Sequence, residues 1–173
     1  LLLELRPAAI QNARLNDLLR QLASGIMGRT SLAIVVETLG DQDIPAEVRL
    51  AFFRIAQEAL NNIAKHAGAK NVTLLRRDLP PQSVIISGQS LPGVELTIRD
   101  DGCGFDPQLI GQGRHGLSIM RERAEAIGAQ LNIASQPGQG TEITLTWRGN
   151  FIEELCGLLL GKADFLGQRG GDL

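Results

Sequence analysis

The chain has 173 residues, a hydrophobic content of 43% and a formal net charge of −2 at pH 7. This size allows one domain with a sizeable core, and the slight negative charge argues against nucleic acid as a partner. Two cysteines are too few for a disulfide framework, which favours a reducing compartment. There is no apolar run as long as a membrane-spanning helix and no signal peptide at the start, so we expect a cytoplasmic location.

The first third of the chain predicts two helices with a strand between them. Residues 8–28 predict an amphipathic helix, because aliphatic residues recur at three- and four-residue steps. A β-branched run at residues 32–37 lies between turn-forming residues and predicts a strand. Pro45 suits the first turn of the next helix, and Gly68 suits its C-terminal cap.

A polar stripe follows the second of these helices. At about 100° per residue, Glu58, Asn62 and Lys65 fall within roughly 60° of one another, with Arg54 and His66 at the two edges of the stripe. A carboxylate, a carboxamide, a cation and an imidazole in this order could hold a metal-bound phosphate. Taken alone, these residues are explained at least as well by a solvated helix edge.

The rest of the chain predicts a sheet with one more helix. Residues 72–76, 94–99, 131–133 and 143–147 predict strands, and residues 84–86 predict either a strand or a packed loop. The helix between them covers residues 117–127 and ends at Gly128. Residues 137–140 predict the turn that joins the last two strands.

Three glycine-containing motifs lie in the connections between these predicted strands and helices. Asp100, Gly102 and Gly104 form a DxGxG motif after a strand, where the carboxylate could accept a hydrogen bond from an exocyclic amine and the glycines could let a flat ring approach. Gly111, Gly113 and Gly116 surround His115 before a helix, where main-chain N–H groups suit phosphate. The third motif is Gly138-x-Gly140-Thr141. Each motif alone is equally compatible with an ordinary turn, a mobile loop or a hairpin.

The remaining candidates for chemistry are weaker. His66 and His115 have no Cys or His partner at the spacing of zinc ligands, so a zinc site is not expected. Cys103 stands between two glycines, which favours a small tolerated side chain over a redox centre.

The order of the motifs is more specific than any one of them. EALNNIAKHAGA, DDGCGF, HGLSIMRERAEAIGA and SQPGQGTEITL together resemble the catalytic domain of sensor histidine kinases over about residues 30–148. This domain belongs to the superfamily that includes the gyrase, Hsp90 and MutL ATPases, and the chain is most similar to the nitrate- and temperature-sensing kinases. One departure is the loop Gly113-Arg114-His115-Gly116, which lacks a strict GxG.

The resemblance implies a two-layer α/β sandwich, in which a mixed β-sheet is covered on one face by helices, and a site for ATP and Mg²⁺. By the same resemblance Asn62 would ligate Mg²⁺, Glu58 would orient or polarise the reacting groups, and Asp100 would read the adenine amine. The other expected nucleotide contacts are Lys65, His66, Gly102, Gly104, His115, Gly116, Leu117 and Thr141.

The resemblance also implies how the chain is organised. Residues 1–29 would be the end of a dimerisation and phosphoacceptor region, residues 30–149 the ATP-binding catalytic domain, and residues 150–173 a tail or linker. The acceptor histidine would lie outside this chain, in the dimerisation helices of the same parent homodimer, with a response regulator as the later partner. The parent could be a membrane-bound sensor with this part in the cytoplasm. Two alternatives remain: an ATPase of the gyrase or MutL kind, and a non-catalytic nucleotide-binding regulatory module.

Overall fold

A computed structural model describes residues 13–80, 92–106 and 115–149. Its helices are α1 (Leu15–Met27), α2 (Ala46–Asn62), which continues into a π-helical turn (Ile63–Ala67), and α3 (His115–Ala126). Its strands are β1 (Ala33–Leu39), β2 (Asn71–Asp78), β3 (Gly93–Asp100), β4 (Gln130–Ser135) and β5 (Thr141–Arg148). The alternatives for residues 84–86 and the tail at 150–173 lie outside the described residues.

The five strands form one mixed sheet in the order β1-β2-β3-β5-β4. β1 pairs with β2 in parallel, and every other pairing is antiparallel. The parallel pair needs a crossover connection, which α2 supplies. The mixed sheet expected from the sequence is therefore confirmed.

The two faces of the sheet differ in polarity because side chains alternate along each strand. On the inner face, Leu74 of β2, Ile98 of β3 and Ile143 of β5 lie in one register row, and all three are buried. The neighbouring row on the outer face contains Arg99 and Glu142, which are exposed and half-exposed. The helices of the described ranges cover the inner face only, which confirms the two-layer α/β sandwich.

Helix α2 lies at the centre of the core. Five of its side chains are fully buried: Phe52, Ile55, Ala56, Ala59 and Leu60. Residues four apart fall on one face of a helix, so the run from residue 52 to residue 60 turns a continuous apolar surface to the sheet. Burying a phenylalanine in this way is worth about 3–5 kcal/mol against its truncation to alanine.

Helix α1 packs into the same core. Its buried residues, which include Leu18 and Leu19, belong to one hydrophobic cluster with α2 and the sheet. At its N-terminal end, the amide of Asn16 donates to Gly40 O at 3.1 Å and to Asp41 Oδ1 at 2.8 Å. The core therefore continues across the boundary that we expected at residue 29. The dimerisation region that we predicted for residues 1–29 stays a prediction.

An ion pair between a buried arginine and a half-buried aspartate holds the loop between β1 and α2. Arg76 is 1% exposed, and its guanidinium contacts Asp78 Oδ1 at 2.7 Å and donates to Gln42 O at 3.1 Å. Asp78 in turn accepts hydrogen bonds from the main-chain N–H of Gln42. A charge this deep is tolerated only when it is paired, so the pair fixes the loop that leads into α2.

Candidate functional site

The C-terminal end of α2 is the first part of the site. The helix buries Ile55 and Ala59, whereas Glu58 and Asn62 are half-exposed at its edge. Regular α-helical geometry ends at Asn62, the next five residues form the π turn, and Gly68 closes the helix in the left-handed conformation with φ +59°. The C-cap predicted at Gly68 is thus observed.

The π turn changes which polar residues face the same side. A π turn has a wider hydrogen-bonding loop than an α-helix, so the 100° spacing used in the sequence analysis stops at Asn62. Lys65 is exposed and lies outside the cavity described below, whereas His66 lines it. Within the described part of the chain, the side chains of Glu58, Asn62 and His66 form no hydrogen bond or ion pair.

The end of β3 provides a buried acid. Asp100 is 3% exposed. Its Oδ1 accepts a hydrogen bond of 2.8 Å from the main-chain N–H of Gly102, but its Oδ2 is buried without a partner among the described residues. Burial raises the pKa of Asp100, and the main-chain N–H of Gly102 offsets part of this effect. A buried acceptor without a donor is costly, which makes Oδ2 a natural contact for a ligand donor.

The neighbouring Asp101 is an anchor that the sequence analysis did not single out. Its carboxylate accepts hydrogen bonds from the main-chain N–H groups of Lys70 and Asn71, at 2.7 and 2.9 Å, and from the side chain of Asn71 at 2.7 Å. These bonds lower the pKa of Asp101 to about 2. Two adjacent aspartates after a strand were the available signal, since alternation sends one inward and the other outward.

The glycines of the motifs stand where main chains meet. At Gly104, with φ +58°, a Cβ atom would collide with the carbonyl oxygen of Gln136. At Gly140, with φ +75°, it would collide with the carbonyl oxygen of Asp100. A Cβ at Gly102 would meet the carbonyl of Ala67. The DxGxG loop thus packs closely between the π turn and the β4–β5 hairpin.

The start of α3 lies over the polar end of α2. A Cβ at Gly116 would collide with the carboxylate of Glu58 and would come within 3.1 Å of Asn62 Nδ2. His115 is the first residue of α3, and its side chain, like Gly111 and Gly113, lies outside the described part. The missing side chain at Gly116 therefore brings the first turn of α3 close to Glu58 and Asn62.

These elements enclose a cavity of about 640 Å³, a size typical of small-molecule sites. Seven of the predicted site residues line it: Asn62, His66, Asp100, Gly104, Gly116, Leu117 and Thr141. Glu58, Lys65 and Gly102 are not part of the lining. The structure adds residues that the sequence analysis had not assigned to a site: Ala59, Ile63, Ala67, Ile98, Cys103, Phe105 and Ile143.

Two of the added residues form an apolar surface beside the buried acid. Ile98 and Ile143 are direct partners in the β3–β5 register, and the next pair on the same face of the sheet is Asp100 with Thr141. Strand alternation was a signal for both, because residues two apart point to the same face. From the sequence, both residues were assigned only to predicted strands.

The side chains near Asn62 determine which kind of metal ion the site could bind. No group of three or more His, Cys, Asp or Glu side chains in the ranges that the structure describes could hold a metal ion. The half-exposed amide of Asn62, which has no hydrogen-bond partner among the described residues, fits a cation whose other ligands come from a bound ligand and water. Magnesium is commonly held in this way.

Comparisons with known proteins agree with this geometry. Residues 47–150 match the family described as histidine kinase-, DNA gyrase B-, and HSP90-like ATPase. The chain is 32% identical to the sensor protein VraS of Staphylococcus epidermidis, over 83% of this chain and 38% of that protein. It is 30% identical to an uncharacterized sensor-like histidine kinase of Chloroflexus aurantiacus, over 84% of this chain and 24% of that protein. The chain thus spans less than half the length of these relatives.

Two solved structures share the fold. The histidine kinase domain of the blue-light activated histidine kinase from Erythrobacter litoralis EL346 aligns with a TM-score of 0.59 at 24% identity, covering 79% of this chain and 61% of that one. The ATP binding domain of PrrB from Mycobacterium tuberculosis aligns with a TM-score of 0.57 at 23% identity, covering 80% and 96%. Among the described residues, no helix is long and apolar enough to cross a membrane.

Proposed function

Since the chain belongs to the family of histidine kinase-, DNA gyrase B- and HSP90-like ATPases and carries the ATP-binding catalytic domain of a sensor histidine kinase, we propose that its cavity holds Mg-ATP. The γ-phosphoryl group is transferred to a histidine elsewhere in the parent protein. The observation that carries the proposal is the unpartnered Oδ2 of Asp100, which is 3% exposed and lies in the wall of the cavity.

The base is recognised at the sheet end of the cavity. Asp100 Oδ2 accepts a hydrogen bond from the exocyclic amine of adenine, while Ile98 and Ile143 offer an apolar surface to the ring. Guanine carries an oxygen at the corresponding position and would face the carboxylate with an acceptor. The preference for adenine over guanine thus follows from Asp100 Oδ2, a buried acceptor that receives no hydrogen bond from the described part of the protein.

The phosphates lie at the helix end of the cavity. Gly116 and Leu117 belong to the first turn of α3 and line the cavity, and main-chain N–H groups at a helix N-terminus favour anions. His66 lines the same region, and Lys65 contributes a positive charge outside the cavity itself. His115, at the first position of α3, completes this set of phosphate contacts.

Asn62 would hold the Mg²⁺ through its side-chain oxygen, with phosphate and water as the other ligands. The bound ion would neutralise charge on the phosphates, which is the main requirement of phosphoryl transfer. Glu58 is one helical turn before Asn62 and adjoins Gly116. This position suits a carboxylate that orients or polarises the incoming acceptor group.

The acceptor histidine is supplied by the dimerisation helices of the parent homodimer. His66 is part of the π turn and lines the cavity, so its position suits phosphate binding rather than in-line attack. Neither His66 nor His115 has an adjacent acidic residue in the sequence that could act as its base. The response regulator takes the phosphoryl group later, and the domain is the cytoplasmic portion of the sensor.

A phosphotransfer assay with γ-labelled ATP tests the proposal. The chain alone should stay unlabelled, and a separate polypeptide that contains the acceptor helices should gain acid-labile, base-stable phosphate. Glu58→Gln should reduce transfer far more than Glu47→Gln, a matched change in the exposed first turn of α2. Release of phosphate to water alone would indicate a gyrase-type ATPase, and binding without any transfer would indicate a regulatory module.

A further inference from the structure

Cys103 lies in the wall of the nucleotide cavity. It is the middle residue of the run Gly102-Cys103-Gly104, it lines the cavity, and its side chain is exposed. Within the described part of the chain it is a free cysteine. The sequence favoured a small tolerated side chain here. The structure gives the reason: the side chain is exposed at the cavity wall and is not part of the packed core.

The main chain holds this thiol in place. The N–H of Cys103 donates to Ala67 O at 2.8 Å, and its carbonyl accepts from the N–H of Gly138 at 2.6 Å. The thiol itself lies 3.6 Å from His66 O, within the range of a weak S–H hydrogen bond. Because both main-chain groups are bonded to different elements, the main chain holds Cys103 at the cavity wall, and rotation about χ1 is the motion left to its thiol.

A second observation marks this space as a ligand site. Asp100, three residues before Cys103, is 97% buried and lines the same cavity with an unpartnered carboxylate oxygen. Any group attached to the sulfur of Cys103 would therefore compete for space with a ligand that reaches Asp100.

We propose that Cys103 is a covalent modification site at the adenine end of the cavity. An electrophile attached to its sulfur excludes ATP, and bound ATP shields the thiol. This inference rests on the proposed function, because it takes ATP as the occupant of the cavity. It gives the domain a way to be switched off by soft electrophiles without any change in fold.

The probe reaction is the addition of N-ethylmaleimide. The thiolate sulfur forms a bond to one alkene carbon of the maleimide, the carbon–carbon π bond breaks, and the adjacent carbon takes a proton from solvent. The step needs no oxidant or reductant. The succinimide ring that it adds is comparable in size to one ring of a purine, and we expect it to occupy space that adenine needs beside Asp100.

Two single-cysteine variants separate Cys103 from the other cysteine of the chain. Cys156→Ser retains Cys103, and Cys103→Ser retains Cys156. For each variant, mass spectrometry follows the rate of N-ethylmaleimide addition with and without Mg-ATP. Calorimetry measures the affinity for ATP before and after complete modification, and circular dichroism monitors the fold of the modified protein.

In Cys156→Ser, ATP at about ten times its Kd should slow the modification roughly tenfold. Complete modification should weaken ATP binding by at least about tenfold with the fold retained. In Cys103→Ser, the ratio of affinities before and after treatment should stay near one. A modification rate indifferent to ATP, unchanged affinity after complete modification, or loss of fold on modification would overturn the inference alone. Failure of untreated wild-type protein to bind ATP would instead overturn the proposed function, and this inference with it.

Discussion

The main-chain N–H of Cys103 donates to the carbonyl of Ala67 over 2.8 Å, which joins the loop after β3 to the π turn after α2. The parts of the site proposed to read the base and to bind the phosphates are therefore tied together through the main chain. Asp101 reinforces this junction, because it accepts hydrogen bonds from Lys70 and Asn71 at the start of β2. We therefore expect a substitution at the base-binding end of the cavity to alter the geometry of the phosphate-binding end as well.

The metal-dependent part of ATP affinity should depend on Asn62. Asn62→Ala removes the one side-chain oxygen proposed as a protein ligand to Mg²⁺, so Mg²⁺ should no longer strengthen ATP binding. The expected loss is on the order of tenfold in affinity for Mg-ATP, with little change in metal-free binding. Titration calorimetry with and without Mg²⁺ measures both quantities.

Asn61 provides the matched control for that experiment. It is the same residue type on the same helix with similar partial exposure, but it does not line the cavity. Asn61→Ala should therefore leave the effect of Mg²⁺ on ATP affinity intact. An equal loss in both variants would mean that the helix end, and not the Asn62 amide, governs the metal effect.

Base selectivity should depend on Asp100. Asp100→Asn replaces a carboxylate oxygen with an amide that can also donate, so the preference for ATP over GTP should fall by about 1–3 kcal/mol. Competition binding of ATP and GTP to wild-type and variant protein measures this preference. A preference that survives the substitution would assign base recognition to another group.

The raised pKa of Asp100 predicts a pH dependence of binding. Burial favours the neutral acid, and a protonated Oδ2 would present a hydrogen where adenine also presents one. ATP affinity should therefore be complete at pH values above the raised pKa and should weaken as pH falls through it, which calorimetry at a series of pH values measures. In Asp100→Asn, which has no carboxyl group at this position, ATP affinity should not show this fall with decreasing pH.

The glycines of the last hairpin should differ in their tolerance of a methyl group. Gly138 and Gly140 both have positive φ, but a Cβ at Gly138 meets nothing within 4 Å, whereas one at Gly140 collides with Asp100 O. Gly138→Ala should cost about 1 kcal/mol of unfolding free energy from the left-handed conformation alone. Gly140→Ala should cost about 2 kcal/mol more from the collision. Denaturant unfolding of the two variants measures the difference, and equal costs would refute the close packing of hairpin and strand.

Asp101 should stabilise the fold in its ionised form. Its pKa is lowered to about 2 from the ordinary value of 3.8, so its contribution is complete above about pH 4 and is lost as pH falls towards 2. Asp101→Asn should lower the melting temperature at neutral pH, and the difference from wild type should shrink across this window. A difference between Asp101→Asn and wild type that stays the same at every pH would contradict this role of the carboxylate.

The sequence by itself determined the fold and half of the cavity lining. Alternation of apolar residues predicted the strands, three- and four-residue spacing predicted the helices, and Gly68 and Gly128 marked two helix ends. The order of the motifs indicated the family, and seven of the residues taken from it line the cavity. These features are local, because the side of an element that is apolar depends only on the geometry of that element. The nitrate- and temperature-sensing subfamily stays a prediction.

The tertiary structure alone decided how the motifs meet. It revealed the π turn that removes Lys65 from the cavity, and the second carboxylate that anchors β2. It showed that α1 packs within the core and that the thiol of Cys103 lies in the cavity wall. The junctions at Cys103 and Asp101 depend on main-chain groups that are met across about 30 residues or more of sequence, as when Cys103 N bonds to Ala67 O. Every residue except proline carries the same main-chain N–H and C=O groups, so no pattern of side chains specifies which of them will pair.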